Sequence, residues 1–276
     1  MDKQFVWLND ELIPISQARV SVNDRGFLYG DGLFETLRAE AGRVQFLREH
    51  LDRLQASARA FRLTFPAAVP WEERLSRLLT ANGLSRGTAR VKILLSRGEA
   101  PGLGLPADSR PTLVIWALPY TPPAPEEYQA GWPVAVFPPG RSTFVGRHKS
   151  LNYLFYLAAR QYALDQGARE ALVLEADGLV SEGAATSLIY LHQGRYYTPA
   201  SPSALPGVTL AVLRQGLIAQ GLSLDERPTT VAQLQEVDGL WLANALLDLM
   251  PVAAIDGAPV PLSDATAFLQ EVLARL

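Results

Sequence analysis

Apolar residues at Leu47, Leu51, Leu54, Ala58 and Phe61 recur at the spacing of one helical face, so a helix runs from Leu47 onward. Trp71 to Leu79 repeats that spacing until Asn82-Gly83 stops it, whereas Ala89 to Ser96 alternates as a strand before a glycine-rich loop. Thr112 to Leu118 reads as another strand. Upstream, Phe5 to Ile15 reads as short strands about a turn at Asn9-Asp10, with a further extended stretch at Ala18 to Val22 before Asn23-Asp24-Arg25-Gly26. Downstream, Leu151 to Gln166 is helical and ends at Gly167. Ala171 to Glu175 and Leu179 to Ser181 flank the hairpin signal Asp177-Gly178, and a second hairpin turns at Gln193-Gly194. Leu210, Leu213 and Leu217 mark a helical stretch with Thr209 as its expected N-cap. Hairpins mixed with helices, without internal repeats, give an α+β class.

The cluster Tyr120-Thr121-Pro122-Pro123-Ala124-Pro125 opposes both helix continuation and central-strand pairing. It divides the 276 residues into an N-terminal domain over 1–119, a linker over 120–132 and a C-terminal domain over 133–276.

Composition narrows the chemistry. With 48% hydrophobic and 19% charged residues the chain folds as an ordinary globule. A net charge of −3 without a sustained basic stripe argues against a nucleic-acid partner. The absence of cysteine removes disulfides, thiolate nucleophiles and zinc-thiolate sites, and His50, His148 and His192 show no metal-ligand spacing. No apolar run has the length of a membrane span and Met1 to Asp10 carries charges, so a cytoplasmic protein without membrane contact is expected.

Three places combine suggestive groups. Lys149 opens an apolar helical stretch, where desolvation favours the neutral amine that can form a Schiff base. Glu182 sits on the second strand of a hairpin, and Gly207-Val208-Thr209 offers N–H groups and a hydroxyl at a helix start. Each alone has an ordinary explanation: a solvated lysine, a strand-end acid and an N-cap.

Together these segments resemble the class-IV aminotransferases, the pyridoxal-5'-phosphate (PLP) enzymes of fold type IV. Tyr29-Gly30-Asp31-Gly32-Leu33-Phe34-Glu35 looks like that family's early glycine-rich motif and Leu47 to Leu54 like its first helix. Ser203 to Thr209 looks like a further family signature, with Leu210 where an arginine is common. The resemblance implies a D-amino-acid-aminotransferase-like fold with a small N-terminal α/β domain and a larger C-terminal domain built on a β-barrel-like sheet. It further implies that Lys149 is the catalytic lysine joined to PLP, that Glu182 pairs with the protonated pyridine nitrogen, and that Tyr153 lies near the ring. Arg48, Val208 and Thr209 would hold the phosphate, with Asn244 and Ala245 on the phosphate side. A homodimer acting on a small molecule is expected on the same ground.

Within the family, Gly102 and Gly104 stand where D-amino-acid aminotransferases carry an arginine and a histidine. The loop also lacks the asparagine-proline pattern of branched-chain aminotransferases. Trp241 to Leu246 followed by Met250-Pro251-Val252 is similar to the lyase version of its segment, although Asn244 could instead merely satisfy its own backbone. The resemblance thus points to a 4-amino-4-deoxychorismate lyase that releases pyruvate and 4-aminobenzoate for folate synthesis. Branched-chain or D-amino-acid aminotransferases, and a noncatalytic binding module on the same scaffold, are the alternatives. Tyr29, Arg97 and Arg147 are candidate substrate contacts.

Overall fold

The computed structural model describes residues 4–106 and 109–275; the charged start Met1-Asp2-Lys3 lies outside them. The chain forms two compact units, Met1–Pro122 with Lys149–Asn152, and Pro123–His148 with Tyr153–Leu276. The first break falls inside the proline cluster, but residues 123–132 belong to the second unit, and four residues around Lys149 return to the first.

In the first unit the order is β1 (Phe5–Leu8), β2 (Glu11–Pro14), α1 (Arg25–Tyr29), β3 (Gly32–Glu40), β4 (Arg43–Val44), α2 (Leu47–Ala60), α3 (Trp71–Ala81), β5 (Thr88–Ser96) and β6 (Thr112–Pro119). Its sheet runs β2-β1-β6-β5-β3-β4. Strand alternation sends Leu37, Val91, Ile93 and Ile115 to one face, where Leu54 and Ala58 of α2 and Leu75, Leu78 and Leu79 of α3 cover them. The opposite face carries Phe34, Thr36, Lys92 and Trp116, and pairing sets Thr36 beside Lys92 and Lys92 beside Trp116. Ala18 to Val22 is irregular instead of extended; the chain enters α1 there, with Asp24 capping the Gly26 N–H at 2.7 Å.

The second unit contains α4 (Pro125–Ala130), β7 (Trp132–Val136), a 3₁₀ turn (Phe144–Arg147), α5 (Leu154–Asp165), β8 (Glu170–Leu174), β9 (Val180–Gly183), β10 (Ser187–His192) and β11 (Arg195–Pro199). It continues with α6 (Val208–Ala219), β12 (Leu224–Arg227), α7 (Val231–Gln235), β13 (Gly239–Asn244), β14 (Asp248–Ile255), β15 (Ala258–Pro259) and α8 (Ala265–Ala274). Nine strands form one sheet in the order β12-β11-β10-β13-β14-β7-β8-β9, with β15 on β14. Inward residues such as Leu172, Leu188, Leu242 and Met250 make its core. The α5 crossover joins the parallel pair β7 and β8 and buries Ala159 and Ala163 against Ala171 and Val173. Proline at the first position of α4 begins the helix instead of forbidding it, because its missing N–H has no partner there anyway. No helix among the described residues is long and apolar enough to cross a membrane.

Candidate active site

In the first unit the motif Tyr29 to Glu35 is a sequence of local necessities. Gly30 closes α1 in the left-handed region, φ +67°, while Asn152 donates to its carbonyl at 3.0 Å. Gly32 admits a strand on either side: a Cβ there would lie 2.7 Å from Leu151 Cδ1 and 2.8 Å from Leu95 O. The returning segment pairs with it, Phe34 N donating to Lys149 O at 2.8 Å and Leu151 N to Gly32 O at 2.9 Å. Lys149 is thereby held by its backbone, with Nζ 4.6 Å from the centre of the Phe34 ring. One residue on, Glu35 enters the core face, where Arg53 donates to both its oxygens at 2.8 and 2.6 Å and His50 Nδ1 lies at 2.7 Å. Burial works against that charge, but Arg53 and His50 outweigh it and hold the carboxyl down at about 2.

Arg97 is committed elsewhere. Its guanidinium makes a two-point contact with Asp31 at 2.8 and 3.0 Å and donates to the carbonyls of Arg62 and Phe61 at 2.7 and 2.9 Å. The expected substrate arginine is therefore a structural clamp, since its hydrogen-bonding fork is spent inside the unit. Arg25 shares Asp31 at 2.8 Å and also donates to Gly102 O at 2.5 Å, pinning the loop that follows β5. Arg48 stands on α2 with its side chain 89% exposed and 3.8 Å from Asp52 one turn on. Tyr29 is half-exposed, its ring under Arg25 at 5.3 Å.

In the second unit Glu182 is buried on β9, opposite Val173. Tyr156 donates to Oε1, Leu205 N donates to Oε2 at 3.0 Å, and Arg141 stands 3.9 Å away while also donating to the Tyr156 oxygen. Arg141 is itself stacked 4.4 Å from both the Phe155 and Tyr156 rings. Tyr153 donates to Ala184 O at 3.1 Å, its ring 4.9 Å from Tyr156. Burial first, then the Glu182 charge, pushes both phenols well above their ordinary range, so each is a neutral donor. Tyr156 was invisible in the sequence, where its spacing reads only as helix.

The loop that brings Leu205 to Glu182 is tied down by a second buried acid. Glu175 accepts from Ser142 at 2.5 Å, from Ser203 Oγ and N at 3.0 and 3.2 Å, from Ser181 at 3.3 Å and from Ser201. Burial opposes its ionisation, but those donors prevail and lower its pKa. Gly146 packs so closely on this loop that a Cβ would lie 2.3 Å from Ser203 O. Arg147, next along, is exposed and has no partner among the described residues.

Helix α6 begins at Gly207 without a side-chain cap, and Val208 and Thr209 are its first two residues. Thr209 is therefore not the N-cap; it is buried one position inside, and the N–H groups of the first turn are left for an outside acceptor. Asn244 spends its amide on its own turn, Oδ1 accepting from Leu246 N and Leu247 N at 2.9 and 2.8 Å and Nδ2 donating to Ala185 O at 3.1 Å. Ala245 adds no polar group. Among the described residues no three acidic or histidine side chains gather as a metal site. Within the second unit a buried carboxyl flanked by neutral phenols and an uncapped helix start fit the ring nitrogen and the phosphate of a phosphorylated pyridine cofactor, and the first unit by itself offers a lysine of the type that joins an aldehyde.

The profile of amino-transferase class IV matches residues 32–255. A putative branched-chain-amino-acid aminotransferase of Methanocaldococcus jannaschii is 32% identical over 255 residues, covering 91% of this chain and 88% of that protein. The chain spans about half the length of two Arabidopsis thaliana branched-chain-amino-acid aminotransferase-like proteins that it matches at 29% identity (46% and 47% of their lengths). Among solved structures, branched-chain amino acid aminotransferase of Escherichia coli superposes with a TM-score of 0.89 at 25% identity, covering 99% of this chain and 94% of that one. The 4-amino-4-deoxychorismate lyase of Pseudomonas aeruginosa does so with a TM-score of 0.86 at 29% identity, covering 98% of each chain. The expected α+β fold of PLP fold type IV, with its barrel-like second sheet, is the one found. With the profile covering most of its length, this chain belongs to the class-IV aminotransferase family.

Proposed function

We propose that the protein is a PLP-dependent 4-amino-4-deoxychorismate lyase, with Lys149 anchoring the cofactor covalently. When bound, PLP supplies a cationic ring that accepts the electron pair released at the substrate's Cα. In this reading Glu182 pairs with the ring nitrogen, its two oxygens held in place by the donors Tyr156 and Leu205 N. The start of α6 at Val208 and Thr209 receives the phosphate, and Tyr153 lies beside the ring. Arg48, exposed on α2, is the cation proposed to join that phosphate set. Lys149, once its amine is released, takes the Cα proton. Arg147 is the exposed cation available to a substrate carboxylate, with Tyr29 a second candidate.

The observation carrying the lyase over the transaminase is the Asn244-Ala245-Leu246 turn. It offers no spare hydroxyl, its only polar side chain being consumed internally, whereas the aminotransferase version of this segment more often carries small hydroxylated residues. The lyase of Pseudomonas aeruginosa, similar along the whole chain, supports the same choice. A lyase needs no amino acceptor, so pyruvate formed from 4-amino-4-deoxychorismate alone, abolished in Lys149→Ala, is the expected outcome. Rapid keto-acid formation from leucine or D-alanine without pyruvate release would establish a transaminase instead. Purified protein lacking the visible absorption of bound PLP would leave only a noncatalytic scaffold. A cytoplasmic homodimer belongs to the same proposal: the first unit exposes Val22 and Phe27, and the second Phe144 and Leu154, each by more than 70%.

A further inference from the structure

In the second unit one short turn connects several of the groups gathered above. Residues 183–187 lead from Glu182 on β9 into β10; Ala184 O accepts from Tyr153 at 3.1 Å and Ala185 O from Asn244 at 3.1 Å. Ser187 packs on the start of α6, where a Cβ at Gly207 would lie 2.3 Å from its Oγ. The turn is tightly closed: Gly183 N donates to Thr186 O at 2.7 Å, and a Cβ at Gly183 would lie 2.0 Å from Thr186 Oγ1. A shift of this backbone is therefore passed to Glu182, Tyr153 and the start of α6 together.

The turn is held by an acid for which neither the core nor the proposed reaction has a use. Glu170, the first residue of β8, is 1% exposed. Its Oε1 accepts from Ala171 N at 2.8 Å, and the Ala185 N–H supplies a further hydrogen bond from the turn itself. Ala184 N donates to the carbonyl of Ala171 at 3.0 Å, so β8 grips the turn at two successive residues. From α5, the partly exposed Arg160 reaches to 3.4 Å of Oε1. Burial raises the pKa of Glu170 against these donors, and its charge is one of those that act on the Tyr153 phenol. Packing alone gives no reason for a desolvated carboxyl here: Ala159, Ala163, Ala171 and Val173 already join α5 to the sheet, and a buried acid paired with an arginine adds little stability over an apolar side chain.

We propose that Glu170 is a positioning residue of the cofactor site, accepting from Ala171 and Ala185 so that the turn after Glu182 keeps Tyr153 and the start of α6 in place for the ring and phosphate of PLP. The inference rests on the reading of Glu182, Tyr153 and the α6 start as PLP contacts, and adds to them a residue that acts through the backbone.

The test follows PLP in the loaded protein by its visible absorption during dialysis and by its visible circular dichroism, which reports how the ring is held. Glu170→Met fills the volume without offering an acceptor; it is expected to lose PLP about tenfold faster, the value of a hydrogen bond, with weaker dichroism per bound PLP. Glu170→Gln keeps an acceptor oxygen and should lose PLP more slowly than Glu170→Met, with dichroism close to that of the unmodified protein. Because Tyr153 acts through the same turn, adding Tyr153→Phe to Glu170→Met should speed PLP loss by less than it does in the unmodified chain. A purely structural ion pair with Arg160 is broken alike by both substitutions at Glu170. Equal PLP loss and dichroism in the two variants, or PLP held by Glu170→Met as by the unmodified protein, therefore overturns the assignment. Unmodified protein that shows no PLP absorption at all overturns the cofactor reading, and this inference with it, so the two failures are told apart.

Discussion

Replacing Glu35 by glutamine keeps the shape of a fully buried side chain and removes the charge that Arg53 and His50 surround. At about 1.4 kcal/mol per pKa unit, the fall from an ordinary 4.5 to about 2 amounts to about 3 kcal/mol of stability for the first unit. The folded value lies below the unfolded one, so this contribution is complete above about pH 4.5 and is lost as the pH falls toward 2. More than half of it is gone by pH 3. Hydrogen exchange of the β3 and β5 amides, followed by mass spectrometry, reads the opening of this sheet without requiring both units to unfold together. At pH 7, Glu35→Gln should lower their protection by about 100-fold relative to the unmodified chain. The difference should shrink to about 1 kcal/mol at pH 3. Equal protection at pH 7, or a difference that does not narrow in acid, would refute the assignment of Glu35 as a paired buried anion.

Arg97→Met should destabilise the first unit by about 3 kcal/mol, seen as a lower melting temperature, because Asp31 loses one of its two cations and two carbonyls lose their donor. Gly146→Ala should push the Ser203 backbone away, loosen Leu205 from Glu182 and speed PLP loss on dialysis, with the second unit's core amides still protected. Tyr156→Phe should likewise weaken PLP retention, by about tenfold, by removing a donor to Glu182, and PLP retained as in the unmodified protein would contradict that role.

Elements whose identity rests on local periodicity were legible: α2 from its apolar spacing, β5 from its alternation, and the hairpin turns at Asp177-Gly178 and Gln193-Gly194. Elements whose identity depends on distant partners were not. β3 hides its alternation because Glu35 occupies an inward position that only Arg53 and His50 make tolerable. Helix α5 starts at Leu154, later than the apolar pattern suggests, since Leu151 is drawn into pairing with Gly32. The same limit governs the site. Lys149, Glu182 and the start of α6 could be named as candidates from motifs, but whether an arginine is free or committed is decided by carbonyls far away in sequence. Arg97, expected to be available, is bound to Phe61 and Arg62.

The return of Lys149–Asn152 to the first unit bears on how the molecule is made. A ribosome that has released Pro122 has delivered every strand of the six-stranded sheet, yet Gly32 and Phe34 still lack their partners on Lys149 and Leu151. About thirty more residues must emerge before those bonds close. Lys149 is thus the last stitch of the part of the chain born first, and a nascent polypeptide arrested before Asn152 holds an unfinished seam.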